Sequence, residues 1–356
     1  MASKALAVHM GAEAAAQIEQ QSWTPELFSL LLGASGGPKC FILSQLDKFL
    51  FSDFLQHTDR PLSTLGSSIG SWRHACLAQD DPAAAVDRMI HHYTYQRYQS
   101  AKPGPAEISA GSLEILEAVL GDNGASAIAE HPRIRSHIVT ARGRGATGSR
   151  SGALLATGMG AAALGNTVSR QLLRHAFQRV VFHSGASPAA GFTFSDFDTQ
   201  YTALEAANVA PALHASGSIP FVLTGERDIT GAPPGQYWDG GIIDYHFDLD
   251  QYCGDGLILY PHFSASVVPG WFDKFLPWRK APLEKSRRLV LLCPDETFVA
   301  GLPHGKIPDR SDFKNFSEEK RITYWQACVE AARAMAEEFA ELVQGSDPLA
   351  GVRVYR

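Results

Sequence analysis

A serine set between two glycines, Gly66-Ser67-Ser68-Ile69-Gly70, is the feature of this 356-residue chain with the plainest chemical content. In a G-x-S-x-G pattern a strand turns sharply into a helix. The serine hydroxyl is left exposed on the bend, and the flanking glycines leave room for both the bend and a substrate. Ser68 is therefore the candidate nucleophile, placed to attack a carbonyl carbon. The stretch Gly33-Ala34-Ser35-Gly36-Gly37 satisfies the same pattern. Ser68 is preferred because Ser71, Ala75 and Ala78 after it are small enough for a helix to approach a sheet. Pro38 and Lys39 after Ser35 instead suit an anion-cradling turn.

Acyl chemistry at a serine also needs donors for the carbonyl oxygen and a base for the hydroxyl proton. The segment Gly33 to Lys39 offers the donors: its glycines let backbone N–H groups point inward at a helix start, whose dipole also favours negative charge. A phosphate-binding or merely tight turn is the competing reading. For the base, Tyr237-Trp238-Asp239-Gly240-Gly241 places Asp239 between aromatic residues and a glycine pair. Partial burial there raises a carboxyl pKa and makes it a better proton acceptor. An Asp-Gly pair by itself marks only a turn. Five histidines, His74, His214, His246, His262 and His304, are rival partners for Ser68.

The elements that must carry these residues follow from periodicity and turn chemistry. Ser3 to Gln20 reads as an amphipathic helix, and Leu27 to Leu32 as a strand that runs into the glycine loop and then a helix begun by Pro38. Pro61 to Leu65, Gly66 to Gly70 and Ser71 to Ala78 repeat that layout as strand, elbow and helix. Asp80-Asp81-Pro82 caps and starts the next helix. Such units pair as parallel strands through right-handed crossovers, so the glycine loop and Ser68 are expected to converge at one sheet edge. Arg179 to Phe182, Phe221 to Leu223, Leu257 to Tyr260 and Arg288 to Leu292 read as further strands, and Thr199 to Asn208 as helical. Ile108 to Gly165 is poor in strand signals and reads as an insertion or lid, within about 100–175 of a single 1–356 domain. A final helix, about 316–344, begins near Asn315 with a capping box at Glu318; its stripe Ile322, Trp325, Val329, Ala332, Ala336, Phe339 and Val343 is packing.

Composition narrows the function classes. Hydrophobic residues make up 45% of the chain, enough for a large α/β core. A net charge of -6 with scattered basic residues excludes a nucleic-acid partner. Five widely spaced cysteines suit reduced thiols, and the N-terminus lacks an unbroken apolar core, so a cytoplasmic location is expected. Gly152 to Val168 is too short to span a membrane. It reads as a buried helix, with contact at a lipid surface as the alternative.

Together these segments resemble the patatin-like phospholipase family, from about Leu30 to about Asp244. The family's G-G-x-R/K-G oxyanion loop is similar to Gly36-Gly37-Pro38-Lys39, with Cys40 where a glycine is usual. Its elbow resembles Gly66 to Ser71, its A-S-x-x-x-P segment resembles Ala215 to Pro220, and its D-G-G/A motif resembles Asp239-Gly240-Gly241. Leu259 to Phe263 and Leu302 to Pro308 resemble features of a bacterial branch. The resemblance implies a three-layer α/β/α fold with a mainly parallel central sheet. It also implies a Ser68–Asp239 dyad and hydrolysis of phospholipid, lysophospholipid or other lipid esters through an acyl-enzyme. No metal or cofactor is needed in that scheme. The alternatives are an α/β-hydrolase with a Ser-His-Asp triad, for which His304 is the best histidine, and a non-catalytic lipid-binding protein.

Overall fold

The computed structural model describes residues 4–355. One sheet runs through it, built from β1 (Leu6–Gly11), β2 (Phe28–Gly33), β3 (Leu62–Ser67), β4 (Ile134–Gly143), β5 (Phe177–His183), β6 (Thr199–Ala203), β7 (Glu226–Arg227), β8 (Gln236–Asp239), β9 (Leu257–Pro261), β10 (Leu289–Pro294) and β11 (Arg353–Tyr355). The strands lie in the order β11-β1-β10-β9-β2-β3-β4-β5-β6, with β8 on β4 and β7 on β8. The block β10-β9-β2-β3-β4 is parallel throughout, while β4–β5, β4–β8, β7–β8 and β1–β10 are antiparallel. Helices surround this mixed, mostly parallel sheet in a three-layer α/β/α arrangement. Covering both faces explains the near-continuous apolar strands: Leu30, Leu31, Leu32, Leu257, Leu259, Val290, Leu291 and Leu292 are wholly buried. Each such side chain contributes about 1.5–3 kcal/mol relative to exposure.

Helices follow the strands as the crossover rule requires. The first are α1 (Ala12–Gln21), α2 (Ser44–Ser52), α3 (Ile69–Leu77), α4 (Pro82–Thr94), α5 (Pro105–Leu120) and α6 (Gly124–Glu130). Next come α7 (Gly152–Val168), α8 (Ala206–Gly217), α9 (Glu296–Gly301), α10 (Asp312–Asn315), α11 (Glu318–Ala331) and α12 (Arg333–Gln344). Asp81 caps α4 by accepting from Ala84 N–H at 2.9 Å.

Several expectations are corrected. The N-terminal amphipathic stretch is split: Leu6–Gly11 is a strand and only Ala12–Gln21 is helical, because β10 offers an edge that those apolar residues pair with. Ser3 lies outside the described residues. Thr199 begins strand β6, and the helix starts only at Ala206. Phe221 to Leu223 is a turn, with Phe221 at a φ of 68°. Residues 100–175 are not wholly an insertion, since β4 sits between β3 and β5 in the middle of the sheet. Arg135, Ser136, His137 and Thr140 interrupt its apolar residues, which masks the run expected of a central strand. The helix α7 is not buried on all sides: Leu155, Met159 and Ala162 pack inward while Leu154, Leu164 and Val168 face solvent. The C-terminal helix begins at Ser317, whose hydroxyl caps Lys320 N–H, and it breaks into α11 and α12 at Ala332.

Candidate active site

Register places the key residues before any side chain is considered. β2 and β3 are immediate parallel neighbours with Gly33 opposite Gly66, so the glycine loop and the elbow leave the same edge side by side. β3 pairs with β4 as far as Ser67 opposite Val139. From Thr140 to Arg142, β8 pairs with β4 in the reverse sense, with Asp239 opposite Thr140. The ends of β3 and β8 therefore meet on consecutive residues of β4, and Ser68 and Asp239 are brought face to face.

Ser68 adopts φ 55° and ψ −131°, the strained elbow conformation, and leads directly into α3. Holding a non-glycine residue there costs about 1–3 kcal/mol, which the surroundings must offset. Close backbone packing does so. A Cβ on Gly70 would lie 2.0 Å from the Gly33 carbonyl oxygen, and one on Gly66 would lie 2.6 Å from Ser71 N. Hydrogen bonds complete the clamp: Ser68 N–H donates to Ser216 Oγ at 2.9 Å, Ser216 Oγ donates to Val139 O at 2.7 Å, and Ser71 Oγ donates to Ser68 O at 2.7 Å. Ser35, the rival serine, lacks the positive φ and bonds Ser67 Oγ at 3.0 Å.

The Ser68 hydroxyl donates to Asp239 Oδ2 at 2.8 Å, and Asp239 Oδ1 accepts Gly241 N–H at 2.7 Å. Both side chains are buried, and burial raises the Asp239 carboxyl above the usual carboxylate range; Arg310, Ser68 and Gly241 oppose that rise. Gly240 and Gly241 are dictated by contact, since a Cβ would lie 2.2 Å from Val139 O or 2.5 Å from Ser35 Oγ.

In the glycine loop, Gly37 has φ 56° and opens a 3-10 helix, Gly37–Leu43. Of the four predicted loop residues, Pro38 has no N–H to give, and the Lys39 N–H turns back to Gly36 O at 3.5 Å. The backbone N–H groups of Gly36 and Gly37 are the donors that remain. Cys40, the departure from the glycine-rich pattern, points into the core, where burial pushes its thiol up to about 12. It does not crowd the loop.

Two cavities meet at Ser68. A small one of about 210 Å³ holds Gly36, Gly37, Asp239 and Gly241 with Lys39, Lys274 and Arg310. A large one of about 1290 Å³ runs from Ser68 past Ile69, Trp72, Ile108, Ile115, Leu223 and Phe313. Among the described residues no histidine lines either. His304 is exposed and packs against Phe316 and Tyr324; His214 bonds Glu226 at 2.5 Å; His246 and His262 meet edge to face beside Phe263; His74 is buried beneath the elbow. Ser216, Lys274 and Arg310 were not singled out from sequence. Ser216 sat within a recognised segment, whereas no local signal marks the two cations.

A family profile described as Patatin-like phospholipase matches residues 34–246. No curated protein matches the chain. Among solved structures, human GIVD cytosolic phospholipase A2 is similar at 10% identity and a TM-score of 0.39, over 94% of this chain and 62% of that one. The ExoU–SpcU complex of Pseudomonas aeruginosa is similar at 18% identity and 0.32, over 90% and 53%. VipD from Legionella pneumophila is similar at 12% identity and 0.32, over 93% and 72%. The chain thus spans less than two thirds of the first two structures it resembles. With the profile covering more than half of its residues, this chain belongs to the patatin-like phospholipase family.

Proposed function

We propose that this protein is a lipid acyl-ester hydrolase that works through a Ser68–Asp239 dyad. The observation that carries this reading is the 2.8 Å hydrogen bond from Ser68 Oγ to Asp239 Oδ2 at the junction of two cavities. Asp239 takes the hydroxyl proton as Ser68 Oγ bonds to the ester carbon. The carbonyl oxygen becomes an oxyanion held by the Gly36 and Gly37 N–H groups at the start of a helical turn. The C–O bond to the alcohol then breaks, and Asp239 returns the proton to the departing oxygen. Water repeats the sequence on the acyl-enzyme, giving its proton to Asp239 and releasing the acid with Ser68 restored.

The large cavity suits the acyl chain. Leu164 and Val168 of α7, with Phe275 and Trp278, are 70–84% exposed and support transient contact with a lipid surface. Asn166 Nδ2 donates to Asp273 at 2.8 Å, tying that helix to the segment beside the small cavity. No described helix is long and apolar enough to cross a membrane. One sheet running through the described residues supports a single domain.

The test is fluorophosphonate labelling and ester turnover in wild type, Ser68→Ala, Asp239→Asn and His304→Ala. The dyad predicts that labelling disappears in Ser68→Ala and that turnover survives in His304→Ala. Labelling of Ser68→Ala, or loss of activity in His304→Ala with Asp239→Asn active, overturns it.

A further inference from the structure

Three cationic side chains from three separate parts of the chain face the small cavity: Lys39 of the glycine loop, Lys274 of the 3-10 helix Trp271–Phe275, and Arg310. Arg310 lies against the loop itself, its Nε 2.8 Å from where a Cβ on Gly37 would stand. Two carboxylates share the cavity and both already accept hydrogen bonds. Asp239 is bonded to Ser68 and Gly241. Asp309 accepts from Lys306 Nζ at 2.8 Å and from the N–H and Oγ of Ser311 at 2.7 and 2.5 Å. Among the described residues, none of the three cations lies in a close ion pair, although Asp309 acts on Lys39 and Asp239 on Lys274 at longer range.

Gathering unpaired like charges in a partly desolvated recess is costly. Desolvation, and then the charges of Lys39 and Arg310, push Lys274 down to about 7. The recess sets these three cations against two carboxylates, Asp239 and Asp309, whose charges act on Lys274 and Lys39 and offset the repulsion only in part. An anionic ligand would relieve that repulsion. The Tyr245 ring is not open to a ligand cation, because Lys274 Nζ sits 3.6 Å from its centre, and Lys39 Nζ likewise sits 4.4 Å from the centre of Phe263. With the acyl chain along Ile69, Trp72, Ile108 and Ile115 of the large cavity, the alcohol half of the ester is left facing Lys39, Lys274 and Arg310, the last of which lines both cavities.

We propose that the small cavity is an anion subsite for the alcohol half of the ester, formed by Lys39, Lys274 and Arg310. It selects lipid esters whose alcohol bears an uncompensated phosphate over zwitterionic choline esters and over neutral glycerides. The orientation of the ester rests on the proposed role of Ser68; the binding of the anion does not.

Two measurements test this. The first is kcat/KM, below micelle formation, on three esters with one short acyl chain: a monoacylglycerol phosphate, the matching phosphocholine and the matching monoacylglycerol. Wild type is expected to favour the phosphate monoester by about tenfold or more, the worth of a charge-assisted hydrogen bond. Lys274→Gln and Arg310→Gln each lower that preference by about tenfold, while the distant charge control Lys285→Gln retains it. Equal turnover of the three esters by wild type, or an unchanged preference in both variants, overturns the proposal. The second is calorimetric titration of Ser68→Ala with glycerol 3-phosphate and with glycerophosphocholine. Binding of the former alone, abolished by adding Arg310→Gln, upholds the subsite even if no ester is turned over. In that case the proposed function fails and the subsite stands; no binding of glycerol 3-phosphate overturns the subsite.

Discussion

Ser67 lies opposite Val139 and Asp239 opposite Thr140, so two strands arriving from opposite directions end on adjacent residues of β4. That register, and not the local sequence around either residue, puts the Ser68 hydroxyl 2.8 Å from a carboxylate 171 positions away. Ser68→Ala and Asp239→Asn should each lower kcat by about 10²–10⁴-fold with the fold retained, as measured by ester turnover and circular dichroism.

The raised Asp239 pKa also sets a pH signature. For this carboxyl the folded value exceeds the unfolded one. Its contribution to stability is therefore fully present below the unfolded value, about 3.9, and is lost as pH rises through the folded value. Near neutral pH the ionised form costs stability, so Asp239→Asn should melt higher than wild type at pH 7, with the difference shrinking toward pH 4. Calorimetry at the two pH values reads this directly. The acid limb of kcat should likewise fall above the usual carboxylate range.

Lys274 should give the anion preference its own pH dependence. The groups around its ammonium are Lys39, Arg310, Asp239 and the Tyr245 ring, and its charge is present below about 7 and lost above it. The ratio of kcat/KM for the phosphate and neutral esters should fall as pH rises from 6 to about 8.5. A ratio that is flat across that range in wild type, or that falls equally in Lys274→Gln, contradicts the assignment.

Glycine tolerance should separate close approach from mere flexibility. Gly70→Ala places a carbon 2.0 Å from Gly33 O and should destabilise by about 3 kcal/mol or more, moving the elbow and abolishing activity. Gly160→Ala, on the open side of α7 with nothing within 4 Å of its added carbon, should stabilise by up to about 1 kcal/mol. Urea midpoints for the two variants check both signs.

A buried charge network braces the loop after Asp239. Arg179 donates to Asp244 at 2.6 and 2.8 Å and to Asp196 at 2.8 Å, and Arg170 bridges Asp196 and the Ile243 carbonyl. Arg179 and Arg170 hold the Asp196 carboxyl well below the usual range even though burial opposes them. That stabilisation is present above the unfolded carboxylate pKa, about 3.9, and is lost as pH falls below it. Arg179→Met should cost about 3–5 kcal/mol by stranding two carboxylates, and should flatten the acid dependence of the melting temperature.

The local devices are written into short stretches of the chain. Gly66 to Gly70 after an apolar strand already specifies an elbow, Gly36-Gly37-Pro38 a tight helix entry, and Asp239-Gly240-Gly241 a close backbone approach, because each depends on residues a few positions apart. Strands β2, β3, β5, β9 and β10 were legible for the same reason, being buried on both faces. Tertiary structure decided what periodicity does not encode. Leu6–Gly11 became a strand because β10 had an edge to offer, and the polar-interrupted β4 took the centre of the sheet. Asp239 was separated from five rival histidines by where β8 docks. Lys274 and Arg310 carry no motif, and their convergence on Ser68 depends on contacts across more than 200 residues of chain. Local chemistry reads off neighbours in sequence, whereas an active site and its charge pattern belong to the packed surface that strand register assembles.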